Sequence, residues 1–240
     1  MFIPHPKWIC LLLLLLVAAF PAQSQDITPS SAPASRLDGL VVAWVDSGDL
    51  FVRAGEDTAK LLESGAVVRP YLAPDGKHVA FTRGEGGVPT SLWVVAVDGQ
   101  AVRELAAPGD LASGEGEPIL IGQAGWLDDS VLYFNTARLQ SLGLQRQDDL
   151  WRVNIETGEV ILLLPSGEGG AFSISPDRKH IAIIEPGLYG ETDGQIRLLD
   201  TQTQDVRGSL SFPAVSTGAE YRFYPEVFWE MDSSAIRVAL

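Results

Sequence analysis

The chain has 240 residues, 46% of them hydrophobic, with 24 glycines, 15 prolines, one cysteine and a formal net charge of −14. No basic run follows Lys7, which excludes a nucleic-acid surface, because that requires clustered Lys and Arg, and disfavours an anionic membrane surface. The acidity serves solubility.

Residues 1–25 read as a secretory signal peptide. Lys7 supplies the positive region, 8–20 is an almost unbroken apolar run, and Ala22 and Ser24 suit cleavage near Ser24/Gln25. The alternative is an uncleaved membrane anchor, but the run falls short of the roughly 20 apolar residues that span a bilayer. Cys10 precedes the leucine run and is badly placed for a lipid anchor. The mature chain then has no cysteine, so its core alone must hold it. The expected location is secreted or periplasmic. Residues 26–37 are rich in Pro, Ser and Ala and read as a flexible leader.

From 38 to 240 the chain reads as strands and tight turns, with no sustained helical period. The first unit has strands at 40–45 and 50–53, a turn at 46–49 and a closing strand at 59–62. The second has strands at 67–72, 79–82, 92–97 and 101–105, with a Pro-Asp-Gly turn at 73–77 and a loop at 83–91. The third has strands at 119–126, 131–134, 150–155 and 160–164, and the longest insertion, 135–149. The fourth has strands at 171–174, 181–185, 195–200 and 206–210, with a loop at 186–194. A fifth begins near Tyr221, with strands at 227–229 and 235–240.

Ala73-Pro74-Asp75-Gly76-Lys77-His78-Val79-Ala80-Phe81 is echoed by Ser175-Pro176-Asp177-Arg178-Lys179-His180-Ile181-Ala182-Ile183. The turn aspartates Asp75, Asp129, Asp177 and Asp232 lie 54, 48 and 55 residues apart. A four-stranded propeller blade takes roughly 40–50 residues plus insertions. The fold expected is therefore all-β: a β-propeller of four-stranded antiparallel blades, with about four to five blades present. A β-sandwich, the chief competitor, gives no reason for the same turn to recur. The first unit lacks a clear innermost strand and the last stops after about two strands. The chain is expected to be the N-terminal part of a longer propeller; the alternative is a small ring whose ends share one blade.

Pro74-Asp75-Gly76-Lys77-His78, a short apolar strand and Leu92-Trp93-Val94-Val95-Ala96-Val97-Asp98-Gly99 together resemble the WD40-like repeats of TolB-like propellers. Similar repeats occur in the propeller domain of prolyl oligopeptidase-type peptidases. The resemblance covers 40–240 but is close only at 67–105 and 171–210; the third and fifth units lack the proline. It implies blade structure and leaves activity open.

His78 and His180 are the residues that would suit a metal ligand or a base. Their equivalent positions, just after the turn in two units, favour shared structural work. Asp75, Asp129, Asp177 and Asp232 suit the capping of turn N–H groups; one carboxylate per blade does not converge on a calcium ion. The pairs Asp128-Asp129 and Asp148-Asp149 are more open to a ligand role. Trp44, Trp93, Trp126, Trp151 and Trp229 fall on strands and suit inter-blade packing, with carbohydrate stacking the alternative for any exposed one. There is no Gly-x-Ser-x-Gly and no cysteine after the signal. Glu85-Gly86-Gly87 and Glu168-Gly169-Gly170 open no helix and carry no P-loop lysine. No catalytic, metal or cofactor site is expected.

The function expected is that of an exported, non-enzymatic propeller. It would bind a protein or another envelope component through the insertions 83–91, 135–149 and 186–194, which share one face because each joins the same two strands. The alternative is the gating propeller of a secreted prolyl oligopeptidase-like peptidase whose catalytic domain lies outside this chain. A third reading is carbohydrate binding or lyase chemistry within the ring.

Overall fold

In the second strand of each middle unit, successive side chains divide between two neighbours. Val79 and Phe81 pack toward the first unit and Ala80 toward the third. Leu132 and Phe134 pack toward the second unit, Tyr133 toward the fourth. Ile181 and Ile183 pack toward the third unit, Ala182 and Ile184 toward the fifth. A strand buried on both faces by period-two alternation builds one apolar slab on each side of its sheet. The core is accordingly four slabs, one between each pair of successive sheets.

The computed structural model describes residues 40–107, 110–111, 119–139, 145–147, 149–187, 190–214 and 224–239. The signal-peptide and leader readings of 1–25 and 26–37, and Asp148, lie outside the described residues. Blade 1 comprises β1 (Val41–Asp46), β2 (Asp49–Ala54) and β3 (Asp57–Leu62). Blade 2 is β4 (Val67–Leu72), β5 (His78–Arg83), β6 (Ser91–Ala96) and β7 (Arg103–Ala106). Blade 3 is β8 (Ile119–Trp126), β9 (Val131–Leu139), β10 (Gln145–Gln147), β11 (Leu150–Asn154) and β12 (Val160–Leu164). Blade 4 is β13 (Ala171–Ile174), β14 (His180–Glu185), β15 (Gly194–Asp200) and β16 (Val206–Phe212). Blade 5 shows β17 (Glu226–Trp229) and β18 (Ile236–Ala239).

Every pairing is antiparallel, and each sheet runs in chain order apart from β10, which pairs with β9 beside β11. The innermost strand β8 touches both β4 and β13. This is the expected propeller of four-stranded blades. The first and fifth sheets hold three and two strands among the described residues and share none, so the sheets described do not close a ring. A 3-10 turn lies at Glu85–Gly87, and no helix among the described residues is long and apolar enough to cross a membrane.

The turn into the second strand explains the repeat. In blades 2, 4 and 5 it is closed by Ala73 N–H to His78 O, Ser175 N–H to His180 O and Glu230 N–H to Ala235 O. Its left-handed position is taken by Gly76 (φ +69°), Arg178 (φ +64°) and Ser233 (φ +60°). Blade 3 departs from this. Leu127 N–H reaches Val131 O, one residue sooner, and no residue there has positive φ. The capping carboxylate is that of Asp128, which accepts from the N–H groups of Ser130 (2.8 Å) and Val131 (2.7 Å). The sequence-based assignment of Asp129 as the turn aspartate is therefore off by one, because the left-handed residue has been dropped from this turn.

Candidate functional site

The loops that join the second strand to the third leave each blade at the same end, since a meander of antiparallel strands alternates its turns between two ends. At that end blade 2 stops with Arg83 paired to Ser91. Loop 84–90 is pinned by Gly84 N–H to Ala66 O (3.0 Å), Thr90 N–H to Arg83 O (2.8 Å) and Ile121 N–H of the next blade to Pro89 O (2.7 Å). The Arg83 guanidinium lies 4.8 Å from the Trp93 ring centre, and Trp93 Nε1–H donates to Ser91 Oγ (2.8 Å). In blade 4 the matching positions hold an ion pair, Arg197 Nε to Glu185 Oε1 at 2.5 Å, and the same guanidinium donates to Glu168 O.

Blade 3 corrects the expectation of a loop at 135–149. Strand β9 continues to Leu139 and pairs with β10, Gln147 opposite Ala137. The hairpin thus runs on past the level where blade 2 ends. Gln147 pairs with Ala137 and Trp151 with Phe134, four steps along one strand against three along the other, which makes a bulge. A second bulge lies across the same strand, at Gly122 in β8. A Cβ there would sit 2.8 Å from Asn135 Oδ1.

Bulges leave ladder groups unpaired, and buried side chains satisfy them here. Asp149 is fully buried and accepts from Thr136 N–H (2.6 Å), Thr136 Oγ1 (2.5 Å) and Trp151 Nε1 (2.9 Å). Asn135 is also fully buried. It accepts from Gln123 N–H (2.8 Å) and donates to Gln147 Oε1 (3.0 Å) and Gly170 O (2.7 Å). Gln123 in turn bonds both ways with the Phe172 backbone of blade 4, and Gln147 N–H donates to Tyr224 Oη (3.3 Å). Polar residues in 135–149 read as loop from the sequence; the signal missed is that their polar atoms replace a broken ladder.

The remaining sequence candidates fall into place as scaffold. His78 and His180 both open the second strand of their blades. His180 stacks near Trp229 at 6.5 Å, while the Nδ1 of His78 is buried without a partner. Among the described residues no cluster of three His, Cys, Asp or Glu side chains could hold a metal. Asp75, Asp177 and Asp232 each accept a turn N–H, from Lys77, Lys179 and Ser234. Ser175 and Lys179 hold the Asp177 carboxyl below the usual range, and Ser234 does the same for Asp232.

The tryptophans pack between or within blades. Trp126 and Trp229 close the first strands of blades 3 and 5. Each donates Nε1–H to the first strand of the preceding blade, at Tyr71 O (2.9 Å) and Ser173 Oγ (3.1 Å). Trp151 stacks on Phe134 at 6.1 Å and Trp44 on Phe51 at 5.4 Å. None of these five rings, Trp93 included, is in an exposed residue, which favours packing over a carbohydrate platform.

No family model and no curated protein matches the sequence. Solved structures do match in fold. An oligogalacturonate lyase in complex with manganese is 16% identical over 78% of this chain and 49% of its own, with a TM-score of 0.52. The hydrazine synthase of Kuenenia stuttgartiensis is 14% identical over 84% of this chain and 52% of its own, with a TM-score of 0.53. A putative TolB from Agrobacterium tumefaciens matches at 15% identity over 82% of this chain and 76% of its own, with a TM-score of 0.47. The chain spans about half the length of the first two. At these identities the likeness is one of fold, and the TolB-like resemblance of the repeats is a resemblance of blades.

Proposed function

We propose that this chain is an exported, non-enzymatic propeller scaffold that binds a protein partner in the cell envelope or outside the cell. Its contact face is the end of the blades where second strands pass to third strands. The observation that carries the reading is the prolonged β9–β10 hairpin, braced by Asn135, Asp149 and Tyr224, beside the pinned 84–90 loop. A hairpin whose strands are hydrogen-bonded before binding lowers the ordering entropy that binding must overcome. Export rests on the sequence of residues 1–25.

A photo-crosslinking amino acid at Val88 or Glu191, both exposed at this end, tests it in envelope extracts. A control at Glu156, exposed at the other end, sets the background. A discrete protein adduct from Val88 and Glu191 and none from Glu156 supports the reading. Equal labelling at both ends, or peptide hydrolysis by the full gene product, overturns it.

A further inference from the structure

At the opposite end of the blades a cleft of about 480 Å³ separates blade 3 from blade 4. Arg152 of β11 and Arg178 of the blade 4 turn line it, with Asp128, Thr201 and Gln202. Both arginines are half-buried. Arg152 sits across from Tyr133 in the ladder, and among the described residues its guanidinium donates to no acceptor. Its N–H donors are not among the buried unpartnered atoms and reach the solvent of the cleft, where they are available to an anion. Asp128 Oδ1 accepts from Ser130 and Val131, Asp200 accepts from Gln202, Thr203 and Arg207, and among the described residues neither carboxylate forms an ion pair with Arg152.

Arg178 adds a second, independent observation. It occupies the left-handed turn position that Gly76 holds in blade 2, where a side chain costs about 1 kcal/mol. Its side chain lines the same cleft as Arg152. Only its Nη1 has a partner, Leu127 O at 3.0 Å. Thr201 Oγ1 donates to the Arg178 carbonyl (2.8 Å) and so fixes the strained backbone. Blade 5 carries Ser233 at the same left-handed position, so what sets Arg178 apart is the guanidinium it brings to the cleft.

We propose that this cleft binds a carboxylate group, held between the guanidinium groups of Arg152 and Arg178. Planar guanidinium forks match a carboxylate bidentately. A singly charged carboxylate is favoured over a phosphate dianion because Asp128 lines the cleft and the chain carries −14 overall. The group arrives either on a free small organic acid or on a polypeptide. The cleft lies away from the interaction face proposed above, so the two readings stand or fall separately.

The test is thermal unfolding of the full chain at constant ionic strength, with chloride replaced by glutarate, by a peptide ending in a free carboxylate, or by its amide. The expected result is a saturable rise in Tm with glutarate, with the acid peptide, or with both, and none with the amide. The larger rise tells the free acid from the polypeptide. Arg178→Gly should abolish the rise while keeping or raising the Tm in chloride, since glycine suits the turn; an arginine that merely stapled the blades would lower it. Arg152→Met should abolish the rise measured from its own baseline. No rise with any carboxylate, a rise that survives both substitutions, or an equal rise with inorganic phosphate would overturn the proposal.

Discussion

Blades 2 and 3 solve the same problem in different ways at the same place. Thr82 and Asn135 occupy equivalent positions, opposite Leu92 in blade 2 and beside the bulge in blade 3. In blade 2 the β5–β6 ladder runs to its end, although β4 carries the same inner bulge at Val68; Ser91 and Arg83 serve Trp93, and the hydroxyl of Thr82 is buried without a partner. In blade 3 the ladder breaks on both sides of β9, and Asn135 and Asp149 fill the gaps. One backbone plan thus tolerates either an apolar seal or a buried polar network, and the choice decides whether the hairpin stops or continues.

The contrast is sharpest for the two partners of the tryptophan N–H groups. Asp149→Ala would strand the N–H and hydroxyl of Thr136 and the N–H of Trp151, a loss of about 3–5 kcal/mol. Ser91→Ala, at the matching place, should cost about 0.5–1 kcal/mol. Urea unfolding of both variants measures the difference; similar losses would erase the distinction between the blades. Next in size, Asn135→Leu is expected to cost about 2–4 kcal/mol, because Gln123 N–H and Gly170 O lose their partner. Thr82→Val should be neutral or slightly stabilising, since it removes a hydroxyl that already lacks one. Destabilisation by Thr82→Val would show that blade 2 carries a polar contact of its own.

The smaller effects concern charge. The N–H groups of Thr203 and Gln202, with Arg207, hold the Asp200 carboxyl at about 2. Asp49 is lowered by Lys60 and the Gly65 and Ser64 N–H groups. Carboxyls depressed in the folded state stabilise it above the unfolded value of about 3.9 and lose that contribution as pH falls through the folded value. Urea midpoints should therefore hold from neutral pH to about pH 4 and decline toward about pH 2, and Asp200→Asn should flatten part of that decline. Smallest of all, Arg83→Ala should cost about 0.5–1 kcal/mol through its contact with Trp93, with nothing comparable at Thr136, where among the described residues no cation faces Trp151.

The strands of blades 2 and 4 were legible because their apolar alternation and turn chemistry agree, as in Val79 to Phe81 and Ile181 to Ile183. The turn at Leu127 misled by one residue, because a dropped left-handed position leaves no mark beyond a missing proline. The hairpin beyond Asn135 was hidden for a physical reason. Asn135, Thr136, Gln147 and Asp149 are the residue types of loops, and only the bulges at Gly122 and between Gln147 and Trp151 make polar side chains suit a buried position. The cleft at Arg152 escaped notice because its two guanidinium groups come from different blades. Arg178 was visible as the one departure from Pro-Asp-Gly in a close repeat.

The division of each middle strand's side chains between two slabs makes the seams, rather than the blades, the units of cohesion. Val79 and Ala80 are chain neighbours yet belong to different seams. Removing an interior blade would not excise one block of core; it would bring together two half-seams cut to fit other partners. Adding or losing a blade in such an array therefore succeeds most readily at an end, where a single seam is rewritten, and local loosening should spread along the array seam by seam.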